Sequence, residues 1–175
     1  MHTPETELQP GNFDWITDRL AVGGSFPVEF TAELARSHGV RAVVDLREED
    51  CDDEAHLRAA GLAFLHLPAP DMEGLGADGL DRGVTFVRDR MEQGERVLIH
   101  CQHGIGRSPL LALCVLVDAG WAPLEALKHA KARRAVLSLS RAQYDGWVAW
   151  LTRHGHAAPN YHEFGCIVYR HLAEG

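Results

Sequence analysis

Residues 97–117 read VLIHCQHGIGRSPLLALCVLV, and one short stretch inside them holds His100, Cys101, Gly104, Gly106, Arg107 and Ser108. The glycines permit positive φ and close approach of a ligand. Pro109 suits the first turn of a helix, so a helix is predicted to begin just after Arg107. Its unpaired N–H groups and its dipole then point back into the loop. Successive loop N–H groups can curl into an anion-binding nest, and the planar fork of Arg107 suits phosphate or sulfate oxygens. Cys101 lies at the mouth of that nest. A helix N-terminus and a nearby arginine favour thiolate and bring a cysteine pKa from about 8.5 to roughly 3.5–7.5. A nucleophile facing an oxyanion cradle is what phosphoryl transfer to sulfur requires.

Strand-like runs that could position this loop occur at Phe13–Ile16, Leu20–Val22, Val40–Leu46, Leu62–Leu67 and Val97–Cys101. The last three are near-continuous and apolar, as in strands covered on both faces. Helical patterns fill the intervals: Val28–Ser37, Asp53–Ala60 and Leu80–Gln93, each closed by a glycine, then Pro123 to about Arg134. Ser140 and Gln143 form a capping box before Tyr144, Trp147, Val148 and Leu151. Asn160 and Glu163 start a last helix, which Gly165 weakens. The expected fold class is α/β: one domain with a mixed central sheet of about five strands flanked by helices. Residues 1–11 are expected to be a disordered lead, 12–155 the domain proper, and 156–175 a helical extension packed on it.

The chain has 175 residues and a net charge of −8, with no basic footprint for nucleic acid. Its apolar runs are too short for membrane insertion, and MHTPETELQP lacks the basic and apolar regions of a signal peptide. Four scattered cysteines make no disulfide scaffold, so a cytoplasmic location is expected. Cys114 reads as core packing. His162, Cys166 and His171 read as decoration of a helix face. A zinc site from His100, Cys101 and His103 is disfavoured because these residues are too close together to make a tetrahedron.

His100-Cys101-x5-Arg107-Ser108 matches the HCx5R(S/T) signature, and the chain resembles cysteine-dependent protein phosphatases of the compact dual-specificity type. WITDRLAVGG, VVDLREE and HLPAPD extend the likeness over roughly residues 13–154. The resemblance implies a protein tyrosine phosphatase-like fold and phosphomonoester hydrolysis through a phosphocysteine, without metal or cofactor, on a phosphorylated protein or peptide. It implies that Cys101 attacks phosphorus, and that the amides of Gln102, His103, Gly104, Ile105, Gly106 and Arg107, with the Arg107 guanidinium, hold the phosphoryl oxygens. Ser108 would donate to the thiolate, and His100 would orient Cys101 from behind. A leaving alkoxide or phenolate needs a proton. Asp71, in the Pro- and Gly-flanked loop PAPDMEG, is the expected general acid; Asp78 and Asp81 are weaker alternatives that fit a helix start.

Some readings stay open at the level of sequence. Gln143 is explained by its cap, although in part of the phosphatase superfamily a glutamine here positions the hydrolytic water. Lys128, Lys131, Arg133 and Arg134 read as a solvated helix face or as reaching the substrate, and Arg47 shares that ambiguity. Cys51 is a conceivable redox partner of Cys101. The alternatives to a protein phosphatase are a phosphoinositide phosphatase of the same superfamily, a rhodanese-like sulfurtransferase and a non-catalytic phosphate-binding module.

Overall fold

The computed structural model describes residues 11–170. Residues 1–10 and 171–175, which include most of the expected lead, the end of the extension and His171, lie outside the described residues. A sheet of five strands forms the middle layer, ordered β1-β2-β5-β3-β4. The strands are β1 (Phe13–Trp15), β2 (Leu20–Gly23), β3 (Val40–Arg47), β4 (Ala63–Ala69) and β5 (Arg96–His100). Only β1 runs antiparallel. β3 and β5 are buried along almost all of their length, and they take central places where both faces are covered.

Helices α1 (Thr31–Arg36) and α2 (Glu54–Ala59) flank one face, over Ala21, Val43, Leu98, Phe30, Leu34 and Leu57. The other face is covered by α3 (Ala77–Glu92), α4 (Arg107–Asp118), α5 (Pro123–Arg133), α6 (Arg141–Arg153) and α7 (Tyr161–Val168). The apolar α4 is buried along its length from Arg107 to Val117, which makes it the axis of this layer. No helix among the described residues is long and apolar enough to cross a membrane.

Several boundaries differ from the sequence reading for physical reasons. Strand β4 runs past Pro68 to Ala69 because it is an edge strand, where a missing N–H costs no ladder bond. The first predicted helix divides into a short 3-10 turn at Val28–Phe30 and then α1. Helix α3 starts three residues earlier than its apolar periodicity indicates, at Ala77. Gly165 does not interrupt α7, since the capping box of Asn160 and Glu163 secures its start.

The chain crosses between β2 and β3 by skipping the place that β5 later fills. The carboxyl end of β5 therefore lies between those of β2 and β3, the switch point where open α/β sheets bind ligands. Among the helices, Phe164 of α7 is buried against Tyr144 and Trp147 of α6, with ring centroids 4.7 and 6.2 Å away. Phe164→Ala should lower stability by about 3–5 kcal/mol in a single transition. Thermal unfolding followed by near- and far-ultraviolet circular dichroism checks this; separate transitions would show that the C-terminal helix folds apart from the rest.

Candidate active site

The loop Cys101–Gly106 leaves β5 with its carbonyls tied outward. Cys101 O faces His100 Nδ1 at 3.1 Å. Gln102 O accepts from Ser25 N at 3.0 Å, and Ile105 O from Ser138 N at 2.8 Å. His103 O and Gly104 O both accept from Arg134, at 3.1 and 2.6 Å. Gly106 O accepts from Leu110 N in the first turn of α4, at 3.0 Å. In a trans peptide the N–H points opposite to the preceding C=O, and no cis bond occurs among the described residues. Carbonyls held outside thus direct the N–H groups of residues 102–107 inward. Gly104 N–H does reach Cys101 Sγ, at 3.3 Å.

Only one of the two loop glycines has the backbone expected of it. Gly104 has φ +71, and a Cβ there would also fall on Arg134 and the Gly23 backbone. Gly106 has φ −128, within reach of any residue. Its constraint is space, because a Cβ would fall on the Gln143 carboxamide. Gln143 completes the capping box of α6 with Ser140, and its Nε2 also donates to Glu73 O at 3.3 Å. The cap accounts for one end of this side chain, and the other lies against the loop.

Cys101 is buried, with its Sγ 3.3 Å from Ser108 Oγ. Burial alone would raise the thiol's pKa. The Ser108 hydroxyl, the N–H groups of Ser108 and Gly104, and the Arg107 charge outweigh it and bring the pKa below the ordinary thiol value. Ser108 Oγ also lies 3.2 Å from Gly23 O. A hydroxyl has one proton, so Ser108 can serve either the carbonyl or the sulfur, and a charged sulfur is the stronger acceptor.

Arg107 is 1% exposed. Its Nη1 donates to Glu49 at 2.7 and 3.1 Å and to Ala69 O at 2.9 Å. Its Nη2 lies 3.6 Å from Asp71 Oδ1. Its Nε is buried with no partner. A buried donor on a charged group is costly to leave unmade, and an oxyanion lying in the nest would satisfy it. Asp71 is itself exposed, in a loop where Met72 takes φ +65 and donates its N–H to Asp71 Oδ1 at 2.9 Å. Ser140 Oγ donates to Met72 O at 2.5 Å, which fastens this loop to the start of α6. Asp78 sits in the first turn of α3, and Asp81 is taken up by Trp150, Arg153 and His154. The structure thus brings Asp71 to Arg107 and leaves the two alternatives elsewhere.

The basic candidates divide: Lys128 and Arg133 lie on the solvent face of α5, whereas Arg134 and Arg47 are buried. Arg134 is buried and, besides the loop carbonyls, holds Asp14 at 2.9 Å and Asn12 at 3.1 Å. Arg47 is buried between Asp45 and Asp52 and donates to Gln102 Oε1 at 3.3 Å. Lys131 donates to Ala135 O and Leu137 O. Sequence reasoning singled out neither Glu49 nor Asp52, though Glu49 lies within the VVDLREE segment; in an acidic run nothing local says which carboxylate turns inward. The proposed pairing of Cys51 with Cys101 finds no support. Cys51 clusters with Asp45 and His66, on the sheet face of Val43 and Leu98, whereas Cys101 belongs to the opposite core with Ile99. Burial and the charges of Asp45 and Asp52 also raise the Cys51 pKa, which makes it a poor thiolate. Asp45, Asp52 and His100 lie close enough to share a metal, but their polar atoms are spent on one another, on Arg47 and on backbone.

Comparison with known proteins agrees with this geometry. Residues 22–121 match the family described as Tc-R-P, polymorphic toxin system, DSP-PTPase phosphatase. Human dual specificity protein phosphatase 12 is 30% identical over 120 residues, covering 68% of this chain and 33% of its own length. The chain therefore spans about a third of that curated relative. The crystal structure of Tk-PTP in its active form superposes with a TM-score of 0.75 at 26% identity, over 82% of this chain and 98% of that one. PTPMT1 in complex with PI(5)P gives a TM-score of 0.76 at 22% identity, over 81% and 96%, a likeness of fold. A signature loop with its carbonyls tied outward, a lowered thiol and a family match across more than half of the residues lead to one conclusion: the chain belongs to the DSP-PTPase phosphatases of the polymorphic toxin system family.

Proposed function

We propose that this protein hydrolyses phosphomonoesters through a phosphocysteine and acts on phosphorylated peptides. The observation that carries the reading is the unpartnered Arg107 Nε, buried beside a thiol of lowered pKa and a nest of inward N–H groups. The Cys101 thiolate attacks phosphorus while the N–H groups of residues 102–107 and Arg107 receive the non-bridging oxygens. Asp71, 3.6 Å from Arg107 Nη2, gives its proton to the departing ester oxygen. It then accepts a proton from the water that attacks the phosphocysteine. Ser108 returns its proton toward the sulfur as the S–P bond breaks. A sulfurtransferase would have no use for a carboxylic acid beside the guanidinium.

The charge around the mouth supports a peptide over a phosphoinositide. Of the cations that the sequence offered as extra phosphate ligands, Arg47 and Arg134 are buried and paired, and Lys131 donates to backbone carbonyls. The segments bordering Arg107 instead expose Glu48, Glu49, Asp50, Asp71 and Glu73. A substrate bearing further phosphates meets these at a cost, and lysine or arginine beside the phosphorylated residue meets them favourably.

Hydrolysis of p-nitrophenyl phosphate should proceed in EDTA and vanish in Cys101→Ser, which should still bind tungstate. Residual turnover by that variant would exclude the phosphocysteine. Asp71→Asn should slow turnover by roughly 10²–10⁴, most for alkyl phosphates, whose leaving groups most need a proton. The same loss on Asp78→Asn instead would move the acid role.

The lowered Cys101 pKa sets the sign of one pH dependence. Thiolate persists as pH falls below the usual thiol range and is lost only through the lowered value, so iodoacetate should still alkylate Cys101 in mild acid. Ser108→Ala should move that alkylation curve upward in pH; an unmoved curve would remove Ser108 from thiolate stabilisation. In a side-by-side kcat/KM assay, phosphopeptides with basic flanks should exceed acidic-flanked ones and soluble phosphoinositides. A phosphoinositide preference would overturn the peptide assignment.

A further inference from the structure

Behind the loop, the hydrogen bonds of His100 fix its protonation. The ring is wholly buried. Nδ1 lies 3.1 Å from Cys101 O, which can only accept, and Nε2 lies 2.5 Å from Asp52 Oδ2. A neutral imidazole carries a single N–H. Meeting both partners takes a second proton, shared between Nε2 and the Asp52 carboxylate. Burial alone would drive His100 toward the neutral form, but the hydrogen bond and charge of Asp52, then the charge of Asp45, raise its pKa above the ordinary value. The charged groups packed around the ring are Asp52, Asp45 at 3.8 Å, and Arg47, which bridges both acids at 3.0 and 3.1 Å; the Phe26 ring closes the remaining side.

We propose that Asp52 is a positioning residue for the Cys101 loop: by holding His100 in its doubly protonated form, it pins the Cys101 carbonyl outward and so aims the Gln102 N–H at the bound anion. The other outward carbonyls have backbone donors or Arg134, whereas Cys101 O depends on this ring. Asp52 reaches it from the segment after β3, the same segment that sends Glu49 to Arg107. One connection therefore braces the loop at both ends. The inference rests on the oxyanion-binding reading above and adds a residue to it.

Two variants separate charge from contact. In Asp52→Asn, the amide N–H can donate to His100 Nε2 while its oxygen keeps Arg47, so the ring stays in place but loses the second proton. Asp52→Leu keeps neither. Ring-nitrogen NMR at neutral pH should show both His100 nitrogens protonated in the native protein and one in Asp52→Asn. Ultraviolet titration of the Cys101 thiolate should move upward in Asp52→Asn, giving roughly threefold less thiolate in mild acid. Tungstate affinity by calorimetry should fall about tenfold in Asp52→Leu, the effect of losing one buried hydrogen bond, and less in Asp52→Asn. A native-like thiolate curve and doubly protonated ring in Asp52→Asn would overturn the proposal even if Asp52→Leu fails to fold. Native-like tungstate binding by a folded Asp52→Leu would overturn it as well. No tungstate binding by the native protein would sink the oxyanion reading instead, and the NMR and thiolate arms would still decide the role of Asp52.

Discussion

Every carbonyl in the Cys101–Gly106 loop has to face outward if its N–H groups are to face in. That is a constraint of the planar trans peptide, and the rest of the molecule can be read as supplying the outward partners. Ser25 comes from the end of β2, Ser138 from the stretch before α6, Arg134 from the end of α5, and Leu110 from α4 itself. His100 completes the set from within β5. A loop whose dipoles converge on one point is unfavourable alone, since its N–H groups would seek water or one another. It is held here by donors that belong to distant parts of the chain.

The arginines around the loop divide the work by what they touch. Arg134 grips two loop carbonyls and ties them to the first strand through Asp14 and Asn12. Arg47 bridges Asp45 and Asp52, at 3.0 and 3.1 Å, beside the His100 ring. Arg107 is held at Nη1 by Glu49 and Ala69 O, which leaves Nη2 near Asp71 and Nε without a partner. Buried guanidinium groups with fixed partners cannot swing out to meet a polyanion. The acidic character of the mouth is a consequence of using its cations as structure.

The loop carrying Asp71 is tied less tightly. Its backbone contacts run to Ser140 and Gln143 at the start of α6, and Met72 adopts a left-handed conformation that costs an ordinary residue of order 1–3 kcal/mol. The carboxylate remains exposed while its neighbours are anchored. The general-acid role proposed for Asp71, which requires it to approach a leaving group and then make room for water, is served by that combination. Gln143 lies between this loop and Gly106, so the Asp71 loop and the nest share a support.

Short-range chemistry made the centre legible. The spacing of Cys101, Gly104, Arg107, Ser108 and Pro109 specifies strand, nest and helix start, because the amides that bind an anion and the residues that permit their curvature are neighbours in the chain. The α/β layering was legible for the same reason, through runs of apolar residues whose period is local. Asp71 was offered as a candidate by the turn chemistry around it, and folding places it, rather than Asp78 or Asp81, near Arg107. The supports were not legible. Arg134 looked like one of several basic residues on a helix, and its burial follows from Asp14 meeting it across a separation of 120 residues. Glu49 and Asp52 sit in a run of acids whose members are alike until the sheet places β3 beside β5 and turns two of them toward Arg107 and His100. Gly106 was read as a conformational need and proved to be a steric one, imposed by Gln143 from another helix. Sequence fixes what a residue can do within a turn or two of itself; which of several equivalent charges is desolvated, and against what partner, is decided only when distant segments exclude water together.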